Sequence, residues 1–186
     1  DFHLLLPFKD DASLQLNGTA QLTHADLSAP DWNLRLGQLT GPMQFDAGGL
    51  SAGPLQGTFR DQPSTLQMRI AGATGDPDTV FSASLDGRYT LAELLQDQPA
   101  MAWLGAASEG RSEFRIGLDI GRDAANTPLH QRLTVDSALQ DIAIKLPAPL
   151  DKPAGVMMPL HVVLGLPTDS ADLQVSLDDV LRARFR

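Results

Sequence analysis

The chain has 186 residues, 42% of them hydrophobic and 20% charged, enough for one core or two small ones and too polar for a membrane-embedded bundle. Fourteen Lys and Arg against twenty-three Asp and Glu leave a net charge of -9, which repels phosphate backbones and argues against nucleic acid as a partner. The absence of cysteine excludes disulfides, thiol nucleophiles and thiolate metal sites, and 5% aromatic content leaves few platforms on which bases or sugar rings would stack.

No run reaches the roughly 18 apolar residues of a transmembrane helix. The chain opens at Asp1 and reads as a piece of a longer protein, whose leader or anchor would lie outside it. Along its length, hydrophobicity repeats every second residue. From Ser13 to Thr23, Leu14, Leu16, Gly18, Ala20 and Leu22 alternate with polar neighbours, as a strand with one wet face requires. Trp32, Leu34 and Leu36 follow, then Met43 and Phe45, Leu55 and Phe59, Leu66, Met68 and Ile70, and Phe81, Ala83 and Leu85. After an interruption come Phe114, Ile116, Leu118 and Ile120, then Leu133 and Val135, Ile142 and Ile144, Leu160, Val162 and Leu164, and Leu173, Val175 and Leu177. These runs predict about ten strands.

Gly41-Pro42, Gly48-Gly49, Gly53-Pro54, Asp61-Gln62-Pro63, Gly75-Asp76-Pro77 and Asp86-Gly87 separate the early runs and carry turn chemistry. Such links are too short for crossover helices, so the strands form an antiparallel meander. Between Thr90 and Ala107, Leu91, Leu94, Leu95, Met101, Trp103 and Leu104 take helical spacing, with Thr90 and Glu93 placed as a capping box. Pro99 divides this stretch into two short helices or one kinked helix, with Asp97 or Gln98 capping the second piece. Residues 176–186 carry two Asp near their start and three Arg near their end, which suits a C-terminal helix. The proline-dense Leu146–Pro153 stretch is the best candidate linker, but strand patterning resumes after Pro159, so the expectation is a single β-rich domain over 1–186.

Catalytic signals are weak. Gly49-Leu50-Ser51-Ala52-Gly53 matches a serine-hydrolase elbow, but Pro54 and another alternating strand follow where that elbow needs a helix. His3, His24, His130 and His161 have no partner at metal-site spacing. Asp169, Asp172, Asp178 and Asp179 lack the order, the central Gly and the closing Glu of a calcium loop. The reading is therefore no metal, no cofactor and no catalytic residue.

The alternation leaves an aliphatic face that something apolar must cover, since burial yields about 25 cal/mol per Å². From physics alone a second sheet or the Leu91–Leu104 helix covers it; the sharper reading is a curled, groove-like sheet holding acyl chains.

One phrase narrows the choice. Ser137, Leu139, Leu146, Pro147, Pro149, Leu150 and Lys152 match S-x-L-x-G-x-x-x-x-L-P-x-P-L-G-K, with Asp141 and Asp151 at its two glycine positions. With Phe81–Arg88, the Leu91–Leu95 helix and Trp103-Leu104-Gly105 upstream, this order resembles the C-terminal part of the YhdP proteins, in the AsmA-like group with TamB, over roughly residues 13–165. The resemblance implies a periplasmic segment of a Gram-negative envelope protein anchored in the inner membrane by an N-terminal helix, moving phospholipid toward the outer membrane. Acyl chains would lie along Leu14, Leu16, Leu34, Leu36, Phe45, Phe59, Met68, Ile70, Phe114, Ile116, Leu118, Ile142 and Ile144. Partners would be phospholipid acyl chains, neighbouring repeats of the parent chain and other envelope proteins. The rivals are a structural β module with a self-filled core and an envelope hydrolase using Ser51 or an unrecognised carboxylate pair.

Overall fold

The computed structural model describes residues 2–5, 15–29, 34–71, 79–121, 130–166 and 172–185. Leu14, Trp32, Asp169 and the Gly75-Asp76-Pro77 turn signal lie outside them.

The described residues are mostly strand: β1 (Phe2–Leu5), β2 (Gln15–Ala29), β3 (Leu34–Asp46), β4 (Gly49–Phe59), β5 (Gln62–Ala71), β6 (Thr79–Tyr89), β7 (Ser108–Gly110), β8 (Ser112–Gly121), β9 (His130–Ser137), β10 (Ile142–Ile144), β11 (Leu160–Leu166), β12 (Leu173–Leu177) and β13 (Leu181–Phe185). Two helices of five residues, α1 (Leu91–Leu95) and α2 (Ala102–Ala106), stand between β6 and β7, with a 3-10 turn at Pro99–Met101. Eleven strands hydrogen-bond in the order β1-β2-β3-β4-β5-β6-β8-β9-β11-β12-β13, an antiparallel meander; β7 and β10 form a separate two-stranded sheet.

The strands run longer than the turn signals implied, and the reason is local. Gly41-Pro42 lies inside β3, Gly53-Pro54 inside β4 and Asp86-Gly87 inside β6. The register runs unbroken through the first, with Gln21 opposite Pro42 and Leu22 opposite Gly41. In β2 and β3 the register is Leu22 opposite Gly41, then Ala25 opposite Leu39, then Leu27 opposite Leu36. One extra residue on β2 is thus answered by one extra residue on β3. His24 and Gln38 take positive φ there, 49° and 56°. The freed amides find side chains: His24 donates to Thr40 Oγ1 at 3.2 Å and Gln38 to Asp26 Oδ1 at 3.0 Å. A single slip would turn every later side chain to the opposite face; two slips at one height leave both strands in phase.

Two of the hairpin turns differ in chemistry. After β3, Gly48 donates to Asp46 Oδ1 at 2.7 Å, as an Asx turn does. Between β4 and β5 the turn is Arg60-Asp61 with φ 53° and 60°, the primed geometry that matches strand twist.

The expected C-terminal helix is a hairpin instead. β12 and β13 pair Leu173 with Phe185, Val175 with Ala183 and Leu177 with Leu181, so the period-two pattern continues to the last described strand. Asp178 and Asp179, expected at a helix start, lie in the hairpin turn, where Asp179 pairs with Arg182, while Arg184 pairs across the hairpin with Asp172.

By internal contacts the chain forms two compact units. Unit 1 is Asp1–Thr58, Thr65–Ser84 and Leu118–Gln131; unit 2 is Phe59–Ser64, Leu85–Gly117 and Arg132–Arg186. Both helices and the small β7–β10 sheet belong to unit 2; among its described residues unit 1 contains no helix.

Candidate functional site

In unit 1 the alternation and its bulges put one chemical type on one face. The in-facing positions include Leu22 and Ala25 of β2, Leu34, Leu36, Leu39, Met43 and Phe45 of β3, Ala52 and Leu55 of β4, and Leu66, Met68 and Ile70 of β5. Glycines let the larger members lie flat. A Cβ on Gly41 would come within 2.9 Å of Leu55 Cδ2, and one on Gly57 within 2.7 Å of Leu39 Cδ2, so each strand supplies the hollow that the other's leucine fills. Leu36, Leu39, Leu55 and Leu66 are consequently only 1–4% exposed. Away from them the face stays open: Leu34, Met43, Phe45 and Met68 are half-buried, and Leu27 and Ile70 are each 39% exposed.

The positions expected to carry acyl chains therefore separate. Leu34, Leu36, Phe45, Met68, Ile70 and Leu118 belong to unit 1; Leu16 lies in β2 and Leu14 outside the described residues. Phe59, Phe114 and Ile116 belong to unit 2, where Phe59 and Phe114 are buried and Ile116 half-buried. Ile142 and Ile144 leave the main sheet altogether: they form β10, pair with Gly110 and Ser108 of β7, and are 0% and 6% exposed. Their alternation is that of a short strand enclosed within the cap described next.

Unit 2 fills its own interior. Tyr89 ends β6 with 0% exposure, stands edge-on to Phe59 at 5.7 Å between ring centroids, and lies 6.3 Å from Phe114. Its hydroxyl meets Ser64 Oγ at 2.6 Å, and Ser64 in turn donates to Gln62 O at 2.9 Å. Burial raises the Tyr89 pKa above its ordinary 10.0, the Ser64 hydrogen bond acting in the opposite sense. The cap over these rings consists of α1, α2, β7, β10 and the 145–158 segment. Thr90 and Glu93 close the capping box on α1. Glu93 also accepts from Gln62 at 3.1 Å and from Arg111 at 2.6 Å, and Arg60 pairs with Asp97 while lying over the Phe59 ring.

Lys152, the lysine of the family phrase, holds the 145–158 segment in place. Its backbone bridges Ile144 in both directions, at 2.8 and 3.0 Å. The residue is 3% exposed, and its ammonium donates to Ile142 O at 2.6 Å and Pro153 O at 3.2 Å. Desolvation lowers its pKa from 10.5. The arrangement resembles a cation in a cage of carbonyls and organises a loop; it presents no surface to a substrate.

Unit 2 also carries an open depression of about 600 Å³, lined by Phe114, Ala138, Pro159 and Leu160 together with Asp86, Glu113, Arg115, Asp136, His161 and Asp179. Arg115 donates to Asp86 at 2.7 Å and His161 Nδ1 meets Asp136 at 2.6 Å. These contacts form a charge ladder across strands. Among the described residues no group of three or more His, Cys, Asp or Glu converges on a metal position. Ser51 lies within β4, away from any strand-to-helix turn.

Leu39 escaped the site reading because the bulge at Gln38 shifts sequence parity, whereas Leu55 and Leu66 share the parity of Phe59 and Met68 and were legible. Parity itself places Tyr89 beside Phe81, Ala83 and Leu85, and only the turn-like Asp86-Gly87 hid it.

The whole chain, residues 1–186, matches the family model described as YhdP protein. No curated protein and no solved structure matches it significantly.

Proposed function

The chain belongs to the YhdP family of bacterial envelope proteins, and on that premise we propose that unit 1 is a lipid-bearing surface along which phospholipid acyl chains lie during transfer between the inner and outer membranes. The observation that carries the reading is the open aliphatic face of β2–β5. Unit 2 roofs its strands with its own cap, whereas Leu34, Phe45, Met68 and Ile70 remain partly exposed in a unit without a described helix. Flexible tails suit such a face because they conform to half-buried Leu, Ile and Met without demanding a polar anchor.

In this reading the protein does no bond chemistry and requires no cofactor. It works in the periplasm as part of a parent anchored in the inner membrane, with neighbouring repeats of that parent and other envelope proteins as partners. Among the described residues no helix is long and apolar enough to cross a membrane. Unit 2, filled by Tyr89, Phe59, Phe114 and the cap, is the scaffold.

The test is native mass spectrometry with lipid extraction on the chain purified from a Gram-negative host without detergent. Reproducible co-purification of phospholipid is the expected result. A clean apo mass, with no uptake from added vesicles, sinks the reading.

A further inference from the structure

We propose that the open depression of unit 2 is a docking groove for an extended basic peptide segment of a partner protein, one carrying Lys or Arg at positions i and i+4. The groove crosses five neighbouring strands, β6, β8, β9, β11 and β12, and its whole lining belongs to unit 2. Its volume of about 600 Å³ falls within the range of ligand sites. Two rows of residues run across it. The first holds the Asp86–Arg115 and Asp136–His161 pairs and continues to Ser176, which lies opposite His161. The second, two residues further along each strand, is Glu113, Ala138, Pro159 and Asp178, all exposed. Ser137 Oγ donates to Glu113 O at 2.6 Å and Asp178 N to Pro159 O at 2.7 Å, which ties the ends of this row to its middle.

The rows differ in charge balance. In the first, both basic groups are taken up by carboxylates. In the second, no described residue pairs with the carboxylate of Glu113 or of Asp178, and Ala138 and Pro159 stand between them. A matching ligand is cationic at two points and uncharged in between. β8 and β12 are three strand spacings apart, which separates the two carboxylates by about 14 Å. No single ion bridges that distance. An extended peptide rises about 3.4 Å per residue and turns alternate side chains to one face, so basic residues at i and i+4 reach both carboxylates while residue i+2 lies over Ala138 and Pro159. A linear polyamine spans the same distance but offers only donors. Arg115 uses Nε on Asp86, and its remaining N–H groups need acceptors, which peptide carbonyls supply. Nothing in this groove depends on lipid at unit 1, so the two readings stand or fall separately.

Fluorescence anisotropy with the whole chain is the test. Blocked seven-residue peptides of Gly, Ser and Ala carry two arginines at i and i+4, two at i and i+3, or none. The i, i+4 peptide is expected to bind at least about threefold more tightly than the i, i+3 peptide, and the neutral one not to bind. Glu113→Gln and Asp178→Asn, both at exposed positions, should each weaken the i, i+4 peptide about two- to fivefold and remove the preference for spacing. Asp151→Asn, an exposed carboxylate outside the groove, should leave affinity unchanged. Equal weakening by Asp151→Asn, or equal affinity for both dibasic peptides, reduces the attraction to net charge and overturns the proposal. Spermidine that displaces the peptide at concentrations below the peptide's own Kd assigns the groove to polyamines instead. Absence of binding by every peptide at about 1 mM, the weak end of specific recognition, overturns it outright.

Discussion

Lys152 and Tyr89 are ionisable groups held in the interior of unit 2, and their shifts oppose each other in sign. The folded pKa of Lys152 lies below its unfolded value of 10.5, so between the two the unfolded chain binds the extra proton and stability rises with pH. The folded pKa of Tyr89 lies above 10.0, so above that pH the unfolded chain loses its proton first and stability falls. Urea titrations at increasing pH should show a midpoint that climbs toward pH 10 and then drops. Lys152→Met should flatten the rise and Tyr89→Phe the alkaline drop. At neutral pH, Tyr89→Phe should cost about 1 kcal/mol, the usual net value of one hydrogen bond, here that to Ser64. A midpoint unmoved by pH in all three proteins would contradict the placement of both groups. Tyr89 also shows where sequence reading stopped. It is the chain's single tyrosine and has the parity of Leu85, but Asp86-Gly87 looks like a turn. The glycine is there for another reason: a Cβ at position 87 would sit 2.2 Å from the Tyr89 hydroxyl oxygen.

At the scale of elements, the paired bulge decides which residues share a face. Deleting His24 alone, or Gln38 alone, should put half of β2 or β3 out of phase, directing Leu22 or Leu39-side residues to water, and should abolish cooperative unfolding. Deleting both restores the register, because each insertion answers the other. The double deletion should recover a cooperative transition by circular dichroism, although each single deletion loses it. If the double variant is no better folded than the singles, the bulges act independently and the compensation is not real. This device explains the uneven legibility of the fold. The meander, the capping box at Thr90 and Glu93 and the short strand at Ile142–Ile144 follow from local period and cap chemistry. Bulges without glycine at the inserted position, such as those at His24 and Gln38, give no compositional sign, so one long β3 looked like two strands. The C-terminal hairpin was missed because Asp178 and Asp179 ahead of the arginines suit a helix start and a hairpin turn equally well.

At the scale of the whole molecule, the two units treat the same kind of aliphatic face differently, and that difference separates lipid bearing from mere scaffolding. In unit 2 the face is consumed by packing: Phe114 is 2% exposed beneath its own cap, and a charge there has no water to reach. In unit 1, Ile70 is 39% exposed on a half-open face, so a carboxylate there can stay hydrated. Ile70→Asp should therefore leave the chain folded, with a stability loss below about 1.5 kcal/mol, while lowering lipid occupancy several-fold, because a tail crossing that point would have to desolvate the charge. Arg69→Asp, one residue away on the polar side, should leave lipid occupancy unchanged despite adding the same carboxylate and removing a cation. Phe114→Asp should simply unfold unit 2. Equal lipid loss in Ile70→Asp and Arg69→Asp would point to net charge rather than a face, and undiminished lipid in a folded Ile70→Asp would return unit 1 to the scaffold reading. Measured together by native mass spectrometry and thermal melts, the three variants test whether the lipid follows the side of the strand, which is the level at which alternation, bulge and glycine hollow specify this protein.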